Sequence, residues 1–289
     1  MFQDFLEKTL NLIRKSNFRL LIPQIREINL SQNGTRTIYI AIEDSVSSIS
    51  IDFENNPILL SMITFSLIDT FIDLKYPQLE GLSFKRKYEK LDHNVLREIY
   101  RILKLLRNAV VHMKSAVEFK DDSCVISYTW KNTSFYLELN KIAYRTLITL
   151  AFILIKVQVE NIYHFKYIQA LIHSYYNEIR KSIKIQDEFG DNLESISYDI
   201  TLNFSPIRYQ VKNPSIKEEY GTLIIEIVDN DISRFADYVI RLNGKDYLIP
   251  NEALKADRIA ISELPDWTYL ELRKIFSMNF DGGENGIPR

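Results

Sequence analysis

The residue types best suited to chemistry fall close together, in Leu105-Leu106-Arg107-Asn108-Ala109-Val110-Val111-His112-Met113-Lys114. Histidine moves protons near neutral pH, and a guanidinium neutralises phosphoryl oxygens through paired hydrogen bonds. The surrounding residues, from about Asp92 to Val117, predict a helix with Asp92 as N-cap. Ile99, Leu103, Leu106, Val110, Met113 and Val117 recur at steps of three and four and form one stripe to bury. Arg97, Arg101, Lys104, Asn108, His112 and Ser115 follow the same spacing on the far face, and that ridge contains no acid. Surface helices usually mix signs, because Glu and Lys four residues apart support each other. A ridge of cations therefore suits an anion, most commonly phosphate, although a merely solvated helix also presents a basic face. Asn108 and His112 share a face. Arg107 and His112 lie about 140° apart on an ideal helix, so Arg107 must reach around it or a second copy must complete the site.

The order Arg-Asn-x-x-x-His at Arg107, Asn108 and His112, on a helix between two other long helices, resembles the signature of the HEPN superfamily. These small helical domains occur in many ribonucleases of toxin–antitoxin, abortive-infection and CRISPR systems. The resemblance covers roughly residues 57–185 and neither flank. It implies a metal-independent endoribonuclease without a cofactor, working in a prokaryotic antiviral defence or toxin system and leaving 2′,3′-cyclic phosphate and 5′-hydroxyl ends. It also implies a homodimer with a composite site, because the motif occurs once. On this resemblance His112 does acid–base work or positions the 2′-hydroxyl, Arg107 stabilises the phosphoryl transition state, and Asn108 orients His112 or substrate. Arg97, Arg101 and Lys104 on the ridge, with Lys85, Arg86 and Lys87 ahead of the helix, are candidate RNA and phosphate contacts. Asp69 and Asp73 are candidates to position His112 or Arg107, or else exposed polar residues. Some HEPN toxins carry a tyrosine just after the histidine, which a partner nucleotidyltransferase modifies. Met113, Lys114 and Ser115 follow here, so that control is not expected. Other HEPN domains are inactive dimerisation and RNA- or nucleotide-binding adaptors, which is the alternative reading. A third is an interaction protein whose C-terminal region does the work.

The elements that must position these residues are predicted as follows. Residues 2–16 read as an amphipathic helix, and two strand-like runs follow at 37–42 and 48–53. Pro57 opens an apolar helix through Tyr76, closed by Pro77 and Gly81, and Lys85, Arg86 and Lys87 sit in a loop. Runs 124–130 and 134–139 suggest a hairpin around Lys131-Asn132, before one long, bent helix over 141–185. Polar residues 186–192 mark a boundary, with strand-like runs beyond it at 197–204, 222–228, 238–242 and 246–249. Asn243-Gly244 makes a hairpin turn, 267–278 a closing helix and 281–286 a mobile tail. The expected fold is α+β: an N-terminal α/β module (1–56), a central all-α HEPN-like bundle (57–185) and a C-terminal β-rich module (191–289).

Composition fits an intracellular, cytoplasmic protein. Of 289 residues, 46% are hydrophobic and 26% charged, enough for a substantial core. The net charge of −2 means that any nucleic-acid binding must come from a local patch. Cys124 is alone, which excludes an internal disulfide, and no Cys/His set has zinc spacing, so no metal site is expected. The N-terminus lacks a signal-peptide pattern, and the most apolar run, 147–155, is too short to span a bilayer. Expected partners are RNA, a second copy of the chain and an antitoxin or defence-system protein, with no membrane.

Overall fold

The computed structural model describes residues 2–30, 36–40, 52–53, 55–112, 117–120, 123–226, 230–272 and 275. The chain forms two units, one from Met1–Leu21 and Glu43–Phe204, the other from Ile22–Ile42 and Ser205–Arg289.

In the first unit, α1 (Phe2–Arg14) buries Leu6, Leu10 and Ile13. It is followed, beyond strands β1 (Gln24–Leu30) and β2 (Arg36–Ile40) of the second unit, by α2 (Pro57–Lys75). The Asn56 side chain accepts the Leu59 N–H at 3.3 Å, and Pro57 occupies the first turn, where its missing donor is not needed. Lys85, Arg86 and Lys87, expected in a loop, lie in the short helix α3 (Phe84–Lys90). The motif helix is α4 (Asn94–His112), and its N-terminal acceptor is His93 Nδ1, which takes the Leu96 N–H at 3.1 Å, rather than Asp92. The predicted stripe is buried at Ile99, Leu103, Leu106 and Val110, but so are Glu98, Tyr100, Arg101, Ile102 and Leu105. Within α4 full exposure is reached only at His112.

The expected all-α centre is overturned by an antiparallel sheet in the order β3 (Val117–Lys120), β4 (Ser123–Trp130), β5 (Thr133–Asn140), β6 (Ile183–Gln186). The β4–β5 hairpin has the expected turn, with Lys131 at φ +47° and Asn132 at +64°, as a two-residue turn matching strand twist requires. The edge strands are what the helical reading absorbed. Val117 extends the apolar stripe of α4 by one step, and Ile183-Lys184-Ile185 carries on from the preceding helix. Their β-branched residues pair instead with β4 and β5, Val117 opposite Ile126 and Ile183 opposite Leu139. The single long helix is likewise two, α5 (Lys141–Val159) and α6 (Lys166–Ser182). Asn161 at φ +54° ends α5 in a Schellman turn, with its N–H on Gln158 O at 3.1 Å and the Ile162 N–H on Val157 O at 2.9 Å.

The second unit holds a mixed five-stranded sheet. In it β2 pairs antiparallel with β1, β1 parallel with β7 (Ile207–Lys212), β7 parallel with β10 (Ala236–Leu242), and β10 antiparallel with β11 (Lys245–Pro250). Strands β8 (Ile216–Glu219), β9 (Thr222–Ile225) and β12 (Arg258–Ala260) form a second sheet, and the short α7 (Asn230–Ser233) precedes β10. The expected N-terminal module is therefore divided: α1 belongs to the first unit, while β1 and β2 complete a sheet otherwise built from the C-terminal residues. The fold is mixed α/β, including the central region that was expected to be all-α. A non-local pairing such as Ile28 with Val211 leaves no trace in local periodicity.

Residues 197–204, expected as a strand, are irregular, and Thr268–Glu271 of the expected closing helix are not helical. The remainder of that helix lies largely outside the described residues. So does the expected tail 281–286, and so does the expected strand 48–53 apart from Asp52 and Phe53, which form no strand.

Two helices, α2 and α5, are each 19 residues long with a mean hydropathy of 1.6, enough to cross a bilayer by length and composition. The apolar window of α5 is 78% buried within the protein, which is compatible with a soluble protein.

Candidate functional site

The exposed end of α4 brings the three motif residues together. From the half-buried Arg107, Nη1 donates to Asn108 Oδ1 at 3.1 Å and meets His112 Nε2 at 3.3 Å. The guanidinium thus spans the five-residue offset within one chain. A guanidinium carries donors only, so the His112 nitrogen facing it must offer its lone pair. That pairing requires the tautomer in which Nε2 is the acceptor. By the same logic the Asn108 carbonyl faces Arg107, which leaves the amide NH2 free for other contacts.

The remaining cations behave differently from what the ridge suggested. Arg101 is only 2% exposed and spends its fork inside the protein. Its Nε and Nη2 donate to Asp187 at 2.9 and 2.7 Å, its Nη1 to Glu98 and to Asn192 O, and its Nη2 also to Gly190 O. Burial alone would lower the Arg101 pKa, but Asp187, Glu98 and Tyr88 together outweigh it and the net shift is upward. Arg97 is ion-paired with Glu194 and sits over the Tyr88 ring. Lys87 is buried between Asp69 at 2.8 Å and Asp73 at 2.6 Å. These two carboxylates therefore hold Lys87, and no contact links them to His112 or Arg107. Lys85 and Arg86 are exposed, Lys85 with a loose contact to Glu89. Lys104 reaches Glu188 at 2.6 Å while lying 4.7 Å from the Phe84 ring centroid.

Most of the acids that neutralise the ridge are Asp187 and Glu188, inside the stretch 186–192 expected as a boundary, and Glu194 just beyond it. The polar residues there fold back onto α4 instead, because Asp187 answers a buried guanidinium. Of Arg97, Arg101, Lys104 and Arg107, only Arg107 has no carboxylate partner among the described residues.

Asn108 and His112 open onto a groove of about 640 Å³ that they line with Lys104, Tyr128, Trp130, Phe135 and Glu188. Comparison with family models, with characterised proteins and with solved structures gives no match. The reading therefore rests on the groove itself. Its far wall is the β4–β5 hairpin, whose aromatic residues were not picked out from the sequence. Cys124, Ile126, Tyr128 and Trp130 alternate onto one face of β4, and Phe135, Leu137 and Leu139 share that face on β5. Cys124, Ile126, Leu137 and Leu139 are buried, so the same apolar face outruns its cover and ends in three rings. Period-two alternation with bulky residues at one end was the available signal. Tyr128 and Phe135 stack at 4.8 Å with an interplanar angle of 11°. Burial first, then Glu188 and Asp187, push the Tyr128 hydroxyl up to about 12, so it remains a neutral donor at physiological pH. Among the described residues no His/Cys/Asp/Glu cluster has the makings of a metal site.

Proposed function

We propose that this chain is a metal-independent endoribonuclease of the HEPN type, with Arg107, Asn108 and His112 as its reactive residues. The observation that carries the reading is the contact of an uncompensated guanidinium with the imidazole lone pair, at the mouth of an open groove. Before substrate binds, Arg107 holds His112 in the tautomer that leaves Nε2 basic. A phosphate entering the groove competes for the guanidinium with a full negative charge, a stronger acceptor than a neutral imidazole. Arg107 then turns to the phosphoryl oxygens and releases Nε2 as a base. His112 takes the proton of a ribose 2′-hydroxyl as its oxygen bonds to phosphorus, the bond to the 5′-oxygen breaks, and Arg107 offsets the charge gathered on the non-bridging oxygens. The proton that His112 has taken then passes, through water, to the departing 5′-oxygen, and a second copy of the chain completes the groove in a composite homodimer. Products are a 2′,3′-cyclic phosphate and a 5′-hydroxyl. A defence or toxin role, with a cognate inhibitor protein, goes with this activity.

The second reading is a non-catalytic RNA- or nucleotide-binding adaptor. Two observations favour it: most cations of α4 are already neutralised, and Tyr128, Trp130 and Phe135 line the groove. Incubation of mixed-sequence RNA with the protein in EDTA, with the product ends identified, separates the two. Cyclic phosphate ends support the enzyme. Cleavage that requires added metal or yields 3′-hydroxyl ends contradicts it, and RNA retention without cleavage supports the adaptor.

A further inference from the structure

We infer that the groove beside His112 is a binding subsite for an unstacked nucleobase, with Trp130 as its stacking platform, and hence that the substrate is single-stranded RNA. This deepens the ribonuclease reading and relies on it only for where the phosphate goes. Trp130 is 54% exposed, although the face of β4 that it shares with Cys124 and Ile126 is otherwise the buried one. A large indole left open at the end of a strand costs solvation unless something covers it. Tyr128, backed by the buried Phe135 stacked on it, continues the same wall toward His112. Stacking on aromatic side chains is the means by which single-stranded nucleic acids are held without strict sequence readout.

The polar lining suits a base and its backbone rather than an apolar ligand. The Asn108 amide supplies a donor, because its oxygen is taken by Arg107. Glu188 binds Lys104 through one oxygen, leaving the other as an acceptor for an exocyclic amino group. Lys131, in the hairpin turn beside Trp130, is an exposed cation at hand for a neighbouring phosphate. A duplex cannot use this site, because its bases are stacked inside the helix and an A-form major groove is too narrow for a hairpin.

The chain provides its own reporter. It has two tryptophans, and Trp267 is 1% exposed, so quenching by an added oligonucleotide reports Trp130. The probe is a 2′-O-methyl oligoribonucleotide, which cannot be cleaved by attack of the 2′-oxygen. Saturable quenching of the wild type by the single strand and not by its duplex is expected. Trp130→Ala is expected to weaken binding of the same probe, read by anisotropy, roughly 5- to 150-fold, and Trp130→Phe to restore most of it. Trp130 is exposed at a strand end, so both variants should melt like the wild type. The inference is overturned by saturable binding without quenching, by equal affinity of Trp130→Ala, or by equal quenching with duplex. Emission that moves with protein concentration and not with RNA also overturns it, and assigns Trp130 to a contact between copies. Quenching without any cleavage of ordinary RNA retains the subsite and sinks the ribonuclease. Cleavage lost in His112→Ala but without Trp130 quenching does the reverse.

Discussion

Replacing Arg101 by methionine tests whether the ridge of α4 is a phosphate track or part of the core. In the folded chain Arg101 neutralises Asp187, which is fully buried, and Glu98, 1% exposed, and it also satisfies the carbonyls of Gly190 and Asn192. Methionine keeps most of the volume but leaves two buried carboxylates without a counter-charge. Breaking a buried pair from one side costs about 3–5 kcal/mol. For a unit of this size each kcal/mol lowers the midpoint by roughly 2–4 °C, so scanning calorimetry should show a fall of roughly 6–20 °C in the transition of the first unit. Adding Asp187→Leu should recover part of the loss, since an apolar replacement for the whole pair removes the stranded charge. Arg101→Lys should not rescue, because an ammonium cannot reproduce the fork to Asp187 and the two carbonyls. The reasoning fails if Arg101→Met melts with the wild type and instead loses RNA affinity, for then the guanidinium faces ligand.

Three further outcomes are expected. Lys85→Ala and Arg86→Ala should each lower the salt dependence of RNA binding by about one ion and leave stability within about 0.5 kcal/mol, whereas Lys87→Ala should destabilise without altering the salt slope; a salt effect from Lys87 would contradict its burial between Asp69 and Asp73. His93 is held down to about 4, chiefly by burial, with Lys75 and His173 adding to the effect. Below pH 6.5 the unfolded chain therefore takes up a proton that the folded chain refuses. Stability is full above 6.5 and falls by about 3 kcal/mol as pH drops to 4; in melts across that range His93→Gln should show a shallower fall, and an unchanged slope would count against it. The buried Cys124 thiol is pushed up to about 12 by desolvation, so iodoacetamide at pH 8 should label it only on unfolding, and rapid labelling of native protein would place it at the surface.

Local signals in the sequence were read correctly where local physics decides the structure. The buried stripe Ile99, Leu103, Leu106 and Val110 sits where its period puts it, and Lys131-Asn132 makes the two-residue turn that its residue types favour. Errors arose where partners are distant in sequence. Val117 and Ile183 extend helical stripes by one step and become strands only because β4 and β5 offer edges to pair with. Strand β1 escaped notice because Arg26-Glu27 interrupts its alternation, and it is held by β7, far along the chain. The cation ridge looked unpaired because Asp187 and Glu188 come from the stretch 186–192 that composition marks as a boundary, and Glu194 from just beyond it. The grouping of Arg107, Asn108 and His112 was legible, since it needs only one helix and one long side chain. The aromatic wall opposite them was not, because the register of a hairpin against a helix is set by tertiary packing.

The most direct test of the central claim is single-turnover cleavage of a single-stranded RNA in EDTA by the wild type, His112→Ala and Arg107→Ala, with melting curves recorded for each. Both side chains lie at the open end of α4, so the variants should fold normally. The account predicts cyclic phosphate ends from the wild type and a fall of at least about 100-fold in rate for each variant, the scale of losing a general base or a transition-state donor. Cleavage at the wild-type rate by a folded His112→Ala protein would contradict it.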